Sequence, residues 1–184
     1  PSKGMIMKKI FLALCAVSLF LTGCGSHQTV PAVEQAKLSD KFQLKNVSLT
    51  LTESVTPKTE YHSEGEFQTL IQSGIQQNLT QADLLTSETS ANSIDIKITY
   101  KRQFMLDATP FPADALRYPS IDYVINVTDG DKTIRTITRN DFMFRGGIFT
   151  PFKIMFGVLN EKDDESIFIT ALNKKLAKEI QSLK

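Results

Sequence analysis

The sequence predicts a two-layer α+β sandwich over residues 42–184, a mostly antiparallel sheet of about four strands with two helices packed on one face. Two observations carry this. Four stretches alternate apolar and polar residues with the two-residue period of half-buried strands. Two other stretches repeat apolar residues at three- and four-residue spacing, the period of a helix with one buried stripe. One-sided strands and one-sided helices bury their apolar faces only against each other, which gives two layers with the second face of the sheet left wetter.

The first strand is Leu44 to Leu51, where Val47, Leu49 and Leu51 alternate with Asn46, Ser48 and Thr50. A helix follows from Glu64 to Asn78. Ser63 and Glu66 form a capping box at its start, and Phe67, Leu70, Ile71, Ile75 and Leu79 make its apolar face. Gly74 weakens the helix and is expected to let it pack closely on the sheet. Ile94, Ile96, Ile98 and Tyr100 mark the second strand. Ile121, Tyr123, Ile125 and Val127 mark the third, although Val124 breaks the polarity of its other face. Between them, residues 108–120 carry Pro110, Pro112 and Pro119 and read as a long connection. Asp129-Gly130 is a hairpin signal that leads into a fourth strand, Lys132 to Asn140. The last helix is capped by Asp163 or Asp164. It buries Ile167, Phe168, Ala171, Leu172, Leu176, Ile180 and Leu183 and turns Lys174, Lys175 and Lys178 outward, cations that suit a helix C-terminus.

The N-terminal region is of another kind. Lys8 and Lys9 precede an apolar run, Ile10 to Leu21, in which only Ser18 is polar. A membrane-spanning helix needs about twenty apolar residues, so a charged start and this shorter run read as a secretory signal. The run closes on Leu21-Thr22-Gly23-Cys24. These four residues resemble the lipobox of bacterial lipoproteins. The resemblance implies diacylglycerol attachment to the Cys24 sulfur, cleavage before Cys24 and usually acylation of the new N-terminus. Residues 1–23 are then a discarded signal peptide. Residues 24–41, polar, small and containing Pro31, form a tether below the globular domain. More than one acyl chain is needed for stable membrane attachment. Gly25 stands where Asp commonly marks inner-membrane retention in two-membrane bacteria, so in such a host the resemblance implies the outer membrane; the domain is expected to face the periplasm, with the inner membrane or the cell surface as alternatives.

Composition narrows the function. Loss of Lys3, Lys8 and Lys9 leaves 18 basic against 20 acidic residues, a net charge of −2. No charge run is present, which disfavours nucleic acid as a partner. Of the two cysteines, Cys15 leaves with the signal and Cys24 takes lipid, so no thiol is left for a disulfide, a metal or nucleophilic catalysis. His27 lies in the tether, and His62 reads as a surface turn residue with no catalytic motif around it. Asp163-Asp164-Glu165 reads as a helix start rather than a cation site. The expectation is a protein that is not an enzyme and needs no cofactor or metal beyond its covalent lipid.

The element order also resembles small outer-membrane lipoproteins of the LptE and YajG types, which place a strand and helix first, a three-stranded meander next and a helix last. That resemblance implies a membrane-anchored accessory that binds another cell-envelope protein. It carries over no functional residue. Candidate contacts come instead from aromatic density. Residues 142–159 hold Phe142, Phe144, Phe149, Phe152 and Phe156 together with Gly146, Gly147, Pro151 and Gly157, which break any long helix. They are either core beneath the last helix or an exposed apolar loop for a partner or lipid. Phe104, Met105, Leu106 and Phe111 form a second cluster, either the rim of a groove or a strand end packed on its own loop. The rival function is a carrier of a small apolar ligand or lipid in a pocket between sheet and helices.

Overall fold

A computed structural model of the protein describes residues 38–110, 113–143, 153–154 and 157–184. Its elements run β1 (Gln43–Glu53), α1 (Glu64–Gln81), β2 (Ser93–Arg102), β3 (Ser120–Asp129), β4 (Lys132–Met143), a 3₁₀ turn (Lys162–Glu165) and α2 (Ser166–Gln181). The four strands form one open sheet in chain order, β1-β2-β3-β4. Because α1 carries the chain back to the starting end of the sheet, β1 and β2 pair in parallel. The pairs β2–β3 and β3–β4 are antiparallel, so the sheet is mixed but mostly antiparallel, with α1 and α2 on one face.

Strand parity builds the core. Ile94, Ile96, Ile98 and Tyr100 of β2 and Ile121, Tyr123, Ile125 and Val127 of β3 all face the helices and are buried. The intervening Lys97 is exposed, whereas Asp95, Thr99, Asp122 and Asn126 are half-buried. From the helices, Phe67, Ile71, Ile75 and Leu79 of α1 and Phe168, Leu172, Leu176 and Ile180 of α2 fill the space above the sheet with no exposed surface. The packed region begins before Phe42: Leu38 lies against the core, and the Ser39 amide donates to Asn92 Oδ1 at 2.7 Å.

The capping box at Ser63 is present in full. The Glu66 amide donates to Ser63 Oγ at 3.3 Å, and the Ser63 amide donates to Glu66 Oε2 at 2.9 Å. The helix runs past Asn78 to Gln81 and stops in a Schellman arrangement. The amides of Asp83 and Leu84 donate to the carbonyls of Thr80 (3.0 Å) and Leu79 (2.9 Å), Asp83 takes φ +52°, and Leu84 is buried with Leu79. The start of α2 differs from expectation. Glu165 occupies its N-cap and makes no side-chain capping bond. Asp164 instead caps the 3₁₀ turn, accepting from the amides of Asn160 and Glu161 at 3.2 Å each.

Strand β4 is longer than the alternation suggests and carries two irregularities. Three of its apolar residues, Ile134, Ile137 and Phe142, pack against the core, yet odd spacings separate each from the next. An unbroken strand would send alternate members to opposite faces. One extra residue lies between the pairs Thr128–Thr133 and Val127–Arg135, and another between Tyr123–Arg139 and Ile121–Phe142. Each resets the parity. At the second irregularity Asp141 adopts φ +50°, and its amide donates to Asp122 Oδ1 at 2.8 Å.

Gly74 serves a helix–helix contact rather than the sheet expected from sequence. A Cβ at Gly74 would stand 1.9 Å from Asn173 Nδ2 and 3.4 Å from Asn173 Cβ. Gly74→Ala is therefore expected to destabilise the fold by about 1–3 kcal/mol, the usual cost of overpacking. Asn173→Ala in the same chain removes the obstructing amide and should restore most of the loss. Urea denaturation of the two single variants and the double variant measures this coupling.

Candidate functional site

The most unusual chemistry in the domain lies where β1, α1, β2 and α2 meet. Arg102 is the last residue of β2 and continues the phase of Ile94, Ile96, Ile98 and Tyr100, so its parity carries it into the core. There it is 3 % exposed. Glu165, at the junction of the 3₁₀ turn and α2, is 0 % exposed. The two pair in bidentate fashion, Nε donating to Oε1 at 2.7 Å and Nη2 to Oε2 at 2.8 Å, the geometry in which a guanidinium matches a carboxylate best.

Two further contacts bring the number of engaged guanidinium N–H donors to four of five. Arg102 Nη1 donates to Glu53 at the end of β1, and Nη2 also donates to the His62 carbonyl at 2.7 Å. Its guanidinium carbon lies 5.4 Å from the centre of the Tyr61 ring. Burial opposes the charge on Arg102, but the hydrogen bonds and charges of Glu165 and Glu53 prevail and raise its pKa. His62, expected on the surface, instead has a side chain only 11 % exposed, with Nδ1 3.1 Å from Glu165 Oε2. A carboxylate oxygen only accepts, so Nδ1 is the protonated nitrogen in that bond. Tyr61 donates to the Asp114 carbonyl at 2.6 Å. Its hydroxyl is pushed up to about 12, first by burial and then by the charge of Asp114. An open groove of about 440 Å³ borders the cluster, lined in part by Leu51, Pro57, Tyr61 and His62.

This arrangement is a clamp. It fastens the ends of the parallel strand pair to the entry of both helices, and the guanidinium finds its partners within the chain. Sequence reasoning missed it, although both partners are in phase with apolar stripes: Arg102 with β2, and Glu165 with Phe168, Ile169 and Leu172 on α2.

Of the aromatic candidates, Phe104 is fully buried, bridged to Leu116 and 5.7 Å from the Tyr61 ring; it packs inside the domain. Phe142 is half-buried, edge-on to Tyr123 at 6.3 Å and under the Lys175 ammonium at 5.6 Å. Cys24, Phe111, Phe144, Phe149, Phe152 and Phe156 lie outside the described residues. Around them, Ile154 and Leu159 are buried, whereas Met143 and Val158 are each 52 % exposed. Leu106, in the connection after β2, is also exposed and has φ +60°. The expected groove between the two aromatic clusters therefore falls largely on residues outside the described ones. Among the described residues no group of three or more His, Cys, Asp or Glu is placed to hold a metal, and no helix is long and apolar enough to cross a membrane.

No protein-family model matches the chain, and no curated protein sequence matches it. Among solved structures, a minor lipoprotein from Acinetobacter baumannii is similar at 14 % identity and a TM-score of 0.34, over 75 % of this chain and 93 % of that one.

Two outcomes follow from this geometry. Glu165→Ala leaves the Arg102 guanidinium buried without its main partner and should cost about 3–5 kcal/mol. Replacing both residues with methionine should recover most of that loss in urea denaturation, since apolar side chains of similar size remove both charges from the interior. Separately, Lys162 donates to Glu66 at 2.6 Å and joins the starts of the two helical segments. That bond, with the Ser63 amide and hydroxyl, draws the Glu66 carboxyl down from 4.5 to about 2. The folded value lies below the unfolded one, so this contribution is complete above about pH 4.5 and fades as the pH falls toward about 2. Lys162→Ala should flatten that part of the acid dependence of the melting temperature.

Proposed function

We propose that this chain is a lipid-anchored lipoprotein of the bacterial cell envelope, a non-enzymatic accessory that binds another envelope protein. The observation that carries the reading is Leu21-Thr22-Gly23-Cys24 at the end of a short apolar run behind Lys8 and Lys9. A thiol there becomes the attachment point, and two or three acyl chains hold the product on a membrane. The construction of the domain is compatible with the reading, because among the described residues the buried core runs from Phe42 to Leu183, with Leu38 packed against it. The Arg102 clamp is read as structural, since four of its five N–H donors are taken by protein groups. The outer membrane, with the domain in the periplasm, is the location proposed. The lipid on Cys24 is the only non-protein group invoked.

Metabolic labelling with a palmitate analogue tests the anchor. The native chain should take the label and fractionate with membranes, and Cys24→Ala should abolish both. An unlabelled, water-soluble native form would end the reading. Crosslinking in intact cells followed by mass spectrometry tests the partner. Exchanging Phe149, Phe152 and Phe156 for Ser should spare the circular dichroism spectrum and lose the crosslink. Co-purified apolar ligand in place of a protein partner would support the carrier instead.

A further inference from the structure

The margin of α2, where its buried face meets its exposed one, changes character along the helix axis. Ile167, Ala171, Lys174 and Lys178 follow one another at four- and three-residue spacing and so share one stripe. Its first half is apolar and its second half cationic. Beside the stripe, Phe142, set on this side of the sheet by the second irregularity of β4, completes a surface groove of about 400 Å³. Phe142, Ile167 and Ala171 form the floor, and Lys174, Lys175 and Lys178 form the rim. Lys175 is engaged by Glu179 at 2.6 Å, and Glu179 also draws Arg139 to 3.5 Å. Lys174 and Lys178 have no ion pair among the described residues and are exposed. Among the described residues one carboxylate thus stands with four cations, beside a floor of half-buried Phe142 and Ile167 and buried Ala171, edged by Thr170.

A solvated helix face explains the lysines but not the apolar half of the stripe. A wholly polar acidic peptide would answer the charge alone. Both halves are answered by an anion covalently joined to hydrocarbon. We propose that this groove binds an acidic phospholipid, its phosphate between Lys174 and Lys178 and the first carbons of an acyl chain over Phe142, Ile167 and Ala171. Seven residues of helix separate Ala171 from Lys178, about 10 Å, a span that accommodates a headgroup and the start of its chains. The inference rests on the anchoring reading only for the nearness of lipid to the domain, and it is tested without the anchor.

The probe is the chain from residue 24 with Cys24→Ser, sedimented with vesicles of phosphatidylcholine alone or with about 30 mol % phosphatidylglycerol. The domain should bind the acidic vesicles and not the neutral ones. Near a charged membrane each cation strengthens binding by a factor of several, so Lys174→Glu with Lys178→Glu should weaken binding at least about 30-fold. The same charge change at Lys45 and Lys97, exposed on β1 and β2, should weaken it by less than about 3-fold. Ile167→Ser should cost about 10-fold; all variants are checked by thermal melting. Absence of binding, equal binding to both vesicle types, equal losses at the two lysine pairs or an unaffected Ile167→Ser would each overturn the proposal. Occupation of the groove by residues 144–156 of the chain itself would give the first of these outcomes. Failure of palmitate labelling would sink the anchor and leave this measurement untouched.

Discussion

One guanidinium holds the architecture at its most demanding junction. Arg102 ends the central strand β2 inside the apolar layer, and removing a full charge from water is tolerable only with close compensation. Glu165 supplies it from the start of α2, Glu53 from the end of β1 and the His62 carbonyl from the residue before the α1 cap. Three stretches distant in sequence, around residues 53–62, 102 and 165, must arrive together for the charge to be satisfied. Replacement of such pairs by apolar residues is often neutral or favourable for stability, so the value of this one lies in geometry. An arrangement with α2 displaced by one turn would break the bidentate pair and leave Arg102 with only Glu53 and the His62 carbonyl, whereas an all-apolar junction would tolerate the slip.

The same logic of position runs through the helical layer. Gly74 brings α1 close to Asn173 of α2, and Lys162 reaches Glu66 across their starts. With the clamp below them, the helices are related to each other at two points and to the sheet at a third. The outer face of α2 is then presented in one orientation, with its lysines and apolar residues fixed relative to Phe142.

Much of this was readable in advance. Alternation located the strands because one face of each is buried, and the capping box located α1 because the orphan amides of a helix start require those side chains. The fold class and the one-sided placement of the helices followed. The exceptions have physical causes. A two-residue period cannot reveal that Ile134, Ile137 and Phe142 share a face, because the extra residues in β4 reset the phase. Gly74 is legible as a point of close approach, but its neighbour belongs to a segment about one hundred positions away. Arg102 and Glu165 were hidden by their type. Charged residues at strand and helix ends are normally solvated, and only their phase relative to Tyr100 and Phe168 betrays burial. The aromatic density of residues 142–159 shows the opposite limit. Composition singles it out, yet its described members divide between buried Ile154 and Leu159 and exposed Met143 and Val158.

The irregular course of β4 also bears on solubility under crowding. Among the described residues no further strand pairs with its outer margin, and a long flat margin of that kind invites stacking between molecules. Tethering many copies to a single bilayer would aggravate the hazard by raising their local concentration. Two extra residues interrupt the even ladder of donors and acceptors that another chain would need, and Lys132, Arg135 and Arg139 add mutual repulsion. The insertions that turn Phe142 toward α2 thus also guard the protein against polymerising along its own rim.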